Sequence, residues 1–294
     1  MRIDGRGTPT SNHASSTGQA LTGAGWLDTH FEACRPEYEE MLSSVGIEPG
    51  WRVLDAGCGS GSYLSVLASI VGPLGSVHAL DLASDNVALV EERFAASQIL
   101  PCLAQVRVGD LTSLPYPDDH FDAVWCANAT QYLGDDEMEF ALAEFRRVAR
   151  PGGVVAVKDV DMTLTRLYPA DPFLVSHLCE ASLRYEPADN HSRGSLRGRE
   201  LRRWLERSGL AQVRQWTTLI ERWAPLQPVE RQFFGEWLDH LAGLAEERGC
   251  SEADLVAWRS VRDPIAPDYL LDHPEFYACE GQVVAVGCVP GGGG

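Results

Sequence analysis

Three glycines spaced two apart, Gly57, Gly59 and Gly61, follow an apolar run that ends in an acid, Val53-Leu54-Asp55. They precede Tyr63, Leu64, Val66, Leu67, Ile70 and Val71, which recur at helical spacing. A strand, a tight loop and a helix start are therefore expected. Glycine takes positive φ without a Cβ clash, so main-chain groups can approach a ligand closely at the helix N-terminus. The chemistry this permits is the holding of a polar ligand. A second short apolar run, Ser76 to Leu82, also closes on an acid, Asp81. Asp81 falls about 20 residues beyond Gly61, the spacing at which a βαβ nucleoside site places the carboxylate that accepts the ribose hydroxyls. An ionised carboxylate suits that task because it accepts two donors at once. The loop alone discriminates poorly, since dinucleotide-binding oxidoreductases use a similar one and some glycine turns bind nothing.

The elements that must position these groups alternate along the chain. A helix is expected from Ser84 to Ala96, then a strand from Ala104 to Leu111, with Asp110 near its end. A proline-rich loop leads into a fourth strand ending at Asn128, and Asp135 or Asp136 can cap a helix carrying Met138, Leu142, Phe145 and Val148. The turn Pro151-Gly152-Gly153 precedes a fifth strand, Val154 to Val157, with Asp159 or Asp161 beyond it. Strands alternating with helices predict an α/β fold, a doubly wound parallel sheet that binds ligands at the carboxyl ends of its strands. Asp55, Asp81, Asp110 and Asn128 all fall at such ends.

Composition narrows the partners. The 294 residues carry 24 basic and 42 acidic side chains, a formal net charge of −18. A field of that sign repels polyanions, which argues against nucleic acid and anionic membrane surfaces. The eight cysteines show no C-x-x-C pair and no tight cluster with histidine, so reduced thiols in the cytoplasm are expected, with no metal. No sustained apolar core follows Arg2 and Arg6, so a secretory signal is not expected, and no apolar run reaches membrane-spanning length.

Six stretches are expected. Residues 1–24, rich in Ser, Thr, Gly and Asn, read as a mobile, disordered tail, and 25–160 as the cofactor-binding core. The sequence leaves the sheet after Asp159, and 161–195 read as a helical cap segment. Residues 196–224 return a helix and strand six, 225–280 form a long helical insertion that joins the cap, and 281–294 hold the last strand and a glycine tail. The arginines at 197, 199, 202, 203 and 207 read as a solvated face. Ser251, with Asp254 three residues on, has capping-box spacing. His177, His191, His240 and Tyr185 are conceivable bases, and Trp26, Phe31, Tyr168, Phe276 and Tyr277 conceivable walls of an apolar acceptor site.

Taken together, VLDAGCGSGSY at 53–63, HALDL at 78–82, VGDLTSLPYPDDHFDAVWCANATQYL at 108–133 and FRRVARPGG at 145–153 resemble the class I S-adenosylmethionine-dependent methyltransferases, especially the ubiquinone and menaquinone biosynthesis enzymes. The resemblance covers roughly residues 35–160. It implies a Rossmann-like seven-stranded sheet with S-adenosyl-L-methionine as cofactor and a small-molecule methyl acceptor. Asp55 and the backbone of Gly57, Gly59 and Gly61 would hold the methionine portion. Asp81 with Leu82 would hold the ribose, Asp110 with Leu111 the adenine, and Asn128 would line the methyl. Arg35 could reach the methionine carboxylate from the N-terminal helix. Where family members often carry a histidine after the fourth strand, this chain has Gln131, so no base is assigned there. Two alternatives stand beside methyl transfer to O, N or C: a methyltransferase-like protein that binds the cofactor but catalyses another reaction, and an NAD(P)-dependent oxidoreductase.

Overall fold

The computed structural model describes residues 10–14, 20–22, 24–96, 102–184 and 194–291. Val53 and Leu54, adjacent in sequence, point to opposite faces of one strand, and both are fully buried. Such a strand must be covered on both sides, which places it at the centre of a layered fold. This strand, β1 (Arg52–Ala56), pairs in parallel with β2 (Ser76–Asp81) and β4 (Phe121–Ala127). Outside them lie β3 (Leu103–Val108), parallel to β2, and β5 (Ala149–Tyr168), parallel to β4. The last strand, β7 (Tyr277–Cys288), runs antiparallel between β5 and β6 (Ala211–Trp223), so the sheet order is β3-β2-β1-β4-β5-β7-β6. The order reverses between β1 and β4, the point at which open α/β sheets bind ligands at the carboxyl ends of their strands.

The two faces carry separate apolar layers. Val53, Val77, Ala79, Trp125 and Ala156 pack with helices α2 (Arg35–Ser43) and α3 (Leu64–Val71). Leu54, Leu80, Val124, Cys126 and Val157 pack with α5 (Asp135–Val148) and α7 (Leu201–Arg207). Helix α4 (Ser84–Ala96) links β2 to β3. Among the described residues no helix is long and apolar enough to cross a membrane, and all eight cysteines are unpaired.

Three expectations need correction. Residues 159–168 continue β5, where the apolar spacing suggests helices. Arg166, Leu167 and Tyr168 pair with Cys279, Ala278 and Tyr277 across an irregularity after Asp161. Met162, Leu164 and Leu167 fit either period over so short a run, and the partner strand decides, because its hydrogen bonds satisfy the backbone. For the same reason β7 begins at Tyr277, earlier than the apolar run at Gln282. Within the segment read as a mobile tail, Thr10–Ala14 pairs antiparallel with Ala20–Thr22; the remainder of 1–9 and 15–19 lies outside the described residues.

The third correction is Arg197. Arg199, Arg202, Arg203 and Arg207 are exposed, but Arg197 is fully buried. It donates to the Thr130 carbonyl at 2.8 Å and to Asp135 at 2.9 Å, and thereby anchors the turn after β4. Arg197→Leu strands a buried carbonyl, so it is expected to cost about 2–3 kcal/mol in urea unfolding, whereas Arg202→Leu should move stability by less than about 0.5 kcal/mol.

Helices α6 (Leu174–Arg184), α8 (Pro228–Glu247) and α9 (Glu252–Arg262) pack against one another, and α8 packs on α1 (Ala24–Ala33). Ser251 caps α9 by accepting from the Asp254 amide, as its spacing implies.

Candidate cofactor and acceptor site

Just beyond the carboxyl end of β1, Gly57, Gly59 and Gly61 have φ of +80°, +53° and +82°. The amides of Gly57 and Cys58 both donate to the Leu80 carbonyl, at 2.7 and 3.0 Å, which lashes the loop to β2. A Cβ on Gly57 would lie 2.6 Å from the Ala129 methyl and 4.0 Å from Leu111, so the loop, the turn after β4 and Leu111 meet at this glycine.

Behind the loop Asp55 is 1% exposed, and its Oδ2 has no hydrogen-bond partner among the described residues. Burial pushes its carboxyl up to about 8, and the charge of Asp81 adds to the rise. The Tyr63 hydroxyl and the Trp125 indole N–H are likewise buried without partners, and their rings meet edge to face at 5.3 Å. Buried polar groups are nearly always satisfied, so Asp55, Tyr63 and Trp125 are groups that a bound polar ligand could satisfy.

The Asp81 carboxylate accepts from the Gly59 amide at 2.8 Å, the Ala83 amide at 2.9 Å and the Asn86 side chain at 3.1 Å. It therefore joins the glycine loop to the start of α4. Leu82 beside it is 41% exposed. Asp110 is exposed and accepts from the Thr112 amide and hydroxyl, while Leu111 is buried next to the loop. Asn128, with φ of +54°, accepts at Oδ1 from the buried Lys158 ammonium at 3.0 Å, and the Gln131 side chain bonds back to its carbonyl.

Of the conceivable bases, His240 of α8 has its ring 6.1 Å from that of Trp26 on α1. His177, on α6, is half-exposed and paired with Asp254 of α9 at 2.8 Å, a contact that raises its pKa. Tyr185 and His191 lie outside the described residues. Arg35 pairs with Glu32 at the end of α1 and with Glu39 of its own helix α2. Of the aromatics, Phe31 and Phe276 are buried, Tyr168 is 51% exposed, and Tyr277 donates to Glu221.

Two groups of residues stand at the site without a sequence signal that singles them out. Helix α1 lies across the glycine loop. Leu27 would touch a Cβ on Gly59 at 2.8 Å, and Asp28 accepts from Ser60 at 2.7 Å and from Arg93. Arg93 also donates to the Ser60 carbonyl at 3.0 Å, so Asp28 and Arg93 clasp α1 to the loop. Asp28 is only partly buried, and Asp28→Ala is expected to cost about 1 kcal/mol. Amide hydrogen exchange should show α1 opening faster while the core strands keep their protection. Farther along α1, His30 meets Cys34, Tyr38, Lys158, Glu280 and Gln282 in a buried polar cluster. The only hint in the sequence is that Lys158, Glu280 and Gln282 interrupt apolar strands.

Residues 53–153 match the family described as a methyltransferase domain. The chain is 31% identical over 264 residues to an uncharacterised 37.1 kDa protein in transposon Tn4556 of Streptomyces fradiae, which covers 88% of this chain and 69% of that protein. It is 33% identical over 116 residues to the ubiquinone/menaquinone biosynthesis C-methyltransferase of Cupriavidus taiwanensis, covering 40% of this chain and 46% of the relative. The chain spans about half the length of the curated methyltransferases it matches. Its fold is similar to that of the YcgJ protein of Bacillus subtilis, with a TM-score of 0.53 at 17% identity over 88% of this chain and 100% of that one. A glycine loop at the reversal of a seven-stranded sheet, in a chain with these relatives, means that the protein belongs to the class I S-adenosyl-L-methionine-dependent methyltransferases.

Proposed function

We propose that the protein transfers the methyl group of S-adenosyl-L-methionine to an O, N or C nucleophile of a small organic acceptor. The observation that carries this reading is Asp55, a buried carboxylate whose Oδ2 lacks a partner behind a glycine loop. A cationic group would complete it, and the cofactor brings two, an ammonium and a sulfonium. Phosphates would meet the buried carboxylate of Asp55 instead, which disfavours a nicotinamide dinucleotide.

In this reading Asp55 and the loop backbone hold the methionine end, Asp81 and Leu82 the ribose, Asp110 and Leu111 the adenine, and Asn128 the methyl side. The cofactor, when bound, supplies an electrophilic methyl. The chain's own task is to orient the acceptor in line with it and to keep water out. Proximity of that kind can supply about 7–11 kcal/mol. Helix α1 closes the loop side, and α8, packed on α1, closes the acceptor side. The net charge of −18 and the free thiols support a small-molecule acceptor rather than a nucleic acid, and a reducing compartment such as the cytoplasm.

Calorimetric titration tests the reading. S-Adenosyl-L-methionine and S-adenosylhomocysteine should bind with Kd on the order of micromolar, and NADH should give no heat at millimolar concentration. NADH binding in their place would sink the proposal. Binding of the sulfonium cofactor without transfer to any acceptor in a labelled-methyl screen would favour a non-methylating relative of these enzymes.

A further inference from the structure

Glu280, on β7, is 2% exposed and gathers three donors on one oxygen: Gln282 at 2.9 Å, His30 Nε2 at 3.2 Å and the Cys34 thiol at 3.6 Å. Burial alone would raise its carboxyl, but His30, then Lys158 and Gln282, hold it down at about 2. An ionised carboxylate only accepts, so the proton of a neutral His30 ring resides on Nε2. The Tyr38 hydroxyl oxygen, 2.7 Å from the same nitrogen, accepts from that same N–H and so shares it with Glu280. Nδ1 is then the basic atom, and it makes no hydrogen bond to any described residue. This is the arrangement of a base oriented by a buried acid.

A chain of contacts through Tyr38 and Lys158 links the pair to Asn128, on the methyl side of the proposed cofactor site. Lys158 lies 3.9 Å above the Tyr38 ring and donates to Asn128. Phe31, next to His30 on α1, meets Tyr63 just after the glycine loop at 4.9 Å. On its outer side His30 stacks flat on Phe233 of α8 at 4.5 Å and 4°, and Trp26 stands 5.6 Å from Phe233. The side chain of His30 keeps 16% exposure, and the aromatic rings packed beside it suit a planar ring that carries a hydroxyl.

Resting on the methyl-transfer reading, we propose that His30 is the general base that takes the proton from a ring hydroxyl of the acceptor, with Glu280 and Tyr38 as positioning residues. As the acceptor oxygen forms its bond to the methyl carbon, the carbon–sulfur bond breaks and leaves its electron pair on sulfur. The hydroxyl proton passes to His30 Nδ1, and the imidazolium, steadied by Glu280, later releases it to water. The donor atoms of His30, Cys34 and Glu280 lie within 4.8 Å of one another, a spacing that a metal ion could also use. The hydrogen bonds they already exchange, and the Lys158 ammonium beside them, favour the acid–base reading. The other ionisable groups facing the pair are Cys34 and Tyr38, both raised by burial, Glu37 and Arg222 behind Cys34, Tyr63 on α3, and His240 near Trp26 on α8.

Two measurements on the full chain test the proposal. Long-range nitrogen–proton NMR of the complex with S-adenosylhomocysteine, with His30 assigned by its loss in His30→Asn, should show the proton on Nε2; a proton on Nδ1 overturns the idea whatever the acceptor. Labelled-methyl transfer is then compared for 4-methoxyphenol, protonated at neutral pH, and 2-hydroxy-1,4-naphthoquinone, already ionised. His30→Asn should leave the cofactor Kd unchanged, lower transfer to the phenol about 100-fold or more, and spare the ionised acceptor. Glu280→Gln should shift the acid limb of kcat/KM to lower pH, because the imidazolium loses its counter-charge. Equal loss with both acceptors, methylation of amines but of no hydroxyl, or stoichiometric zinc binding abolished by His30→Asn would each overturn it. Failure of S-adenosylhomocysteine to bind the unaltered protein would instead sink the methyl-transfer reading and leave the tautomer result standing.

Discussion

Asp81→Ala is expected to weaken S-adenosyl-L-methionine binding by about two to four orders of magnitude. Two ribose hydroxyls donating to one carboxylate are charge-assisted bonds of about 1.5–3 kcal/mol each, and every 1.4 kcal/mol is tenfold in Kd. The same carboxylate receives the amides of Gly59 and Ala83 and the side chain of Asn86, so alanine also loosens the loop that forms the site. Asp81→Asn separates the two effects. It keeps one acceptor oxygen for the Ala83 amide and Asn86 but turns its amino group on the Gly59 amide and lacks the charge the ribose needs, so its binding loss should approach that of alanine while its unfolding midpoint falls between alanine's and the parent's. Calorimetry and urea unfolding on both variants check this. Full affinity in Asp81→Asn would remove Asp81 from the ribose.

What the sequence made legible follows from how local the cause is. The strand ends and the glycine loop could be read because each depends on a few adjacent residues: apolar pairs for a strand covered on both faces, glycine for positive φ, an acid at the carboxyl end. The cap was less legible. Met162, Leu164 and Leu167 do not choose between periods two and three over ten residues, and only pairing with β7, more than 100 residues away, settles them as strand. Arg197 looks like its exposed neighbours until the Thr130 carbonyl and Asp135 are brought to it. His30 and Glu280 are 250 residues apart in the chain, so no spacing rule could join them. A lone histidine in an N-terminal helix carries no signal, and residues at conventional positions such as Gln131 draw attention away from it.

Asp55 gives the second large expectation, in which stability and binding pull in opposite directions. Burial, helped by the nearby charge of Asp81, raises its carboxyl to about 8, far above the ordinary carboxylate range. Between about pH 4 and pH 8 the folded protein therefore keeps a proton that the unfolded chain has released. Stability must fall as pH rises through that window, since it rises with pH only where the unfolded state binds more protons. Asn cannot ionise and has nearly the same shape. Asp55→Asn should thus be close to neutral at pH 4 and stabilising at pH 8.5 by on the order of 3 kcal/mol, part of the penalty being relaxed by water. Urea unfolding of both proteins at the two pH values reads this directly, and an equal difference at both would show that Asp55 stays ionised throughout. Binding should run the other way. A cationic cofactor favours the carboxylate, so at pH 7 its capture is expected to expel about one proton, seen as a binding enthalpy that changes between phosphate and Tris buffers. In Asp55→Asn the proton release should vanish and affinity should fall about 10- to 100-fold, the loss expected for one charged hydrogen bond. A variant that is more stable at alkaline pH yet binds worse is what a carboxylate held without a partner for a cationic ligand requires.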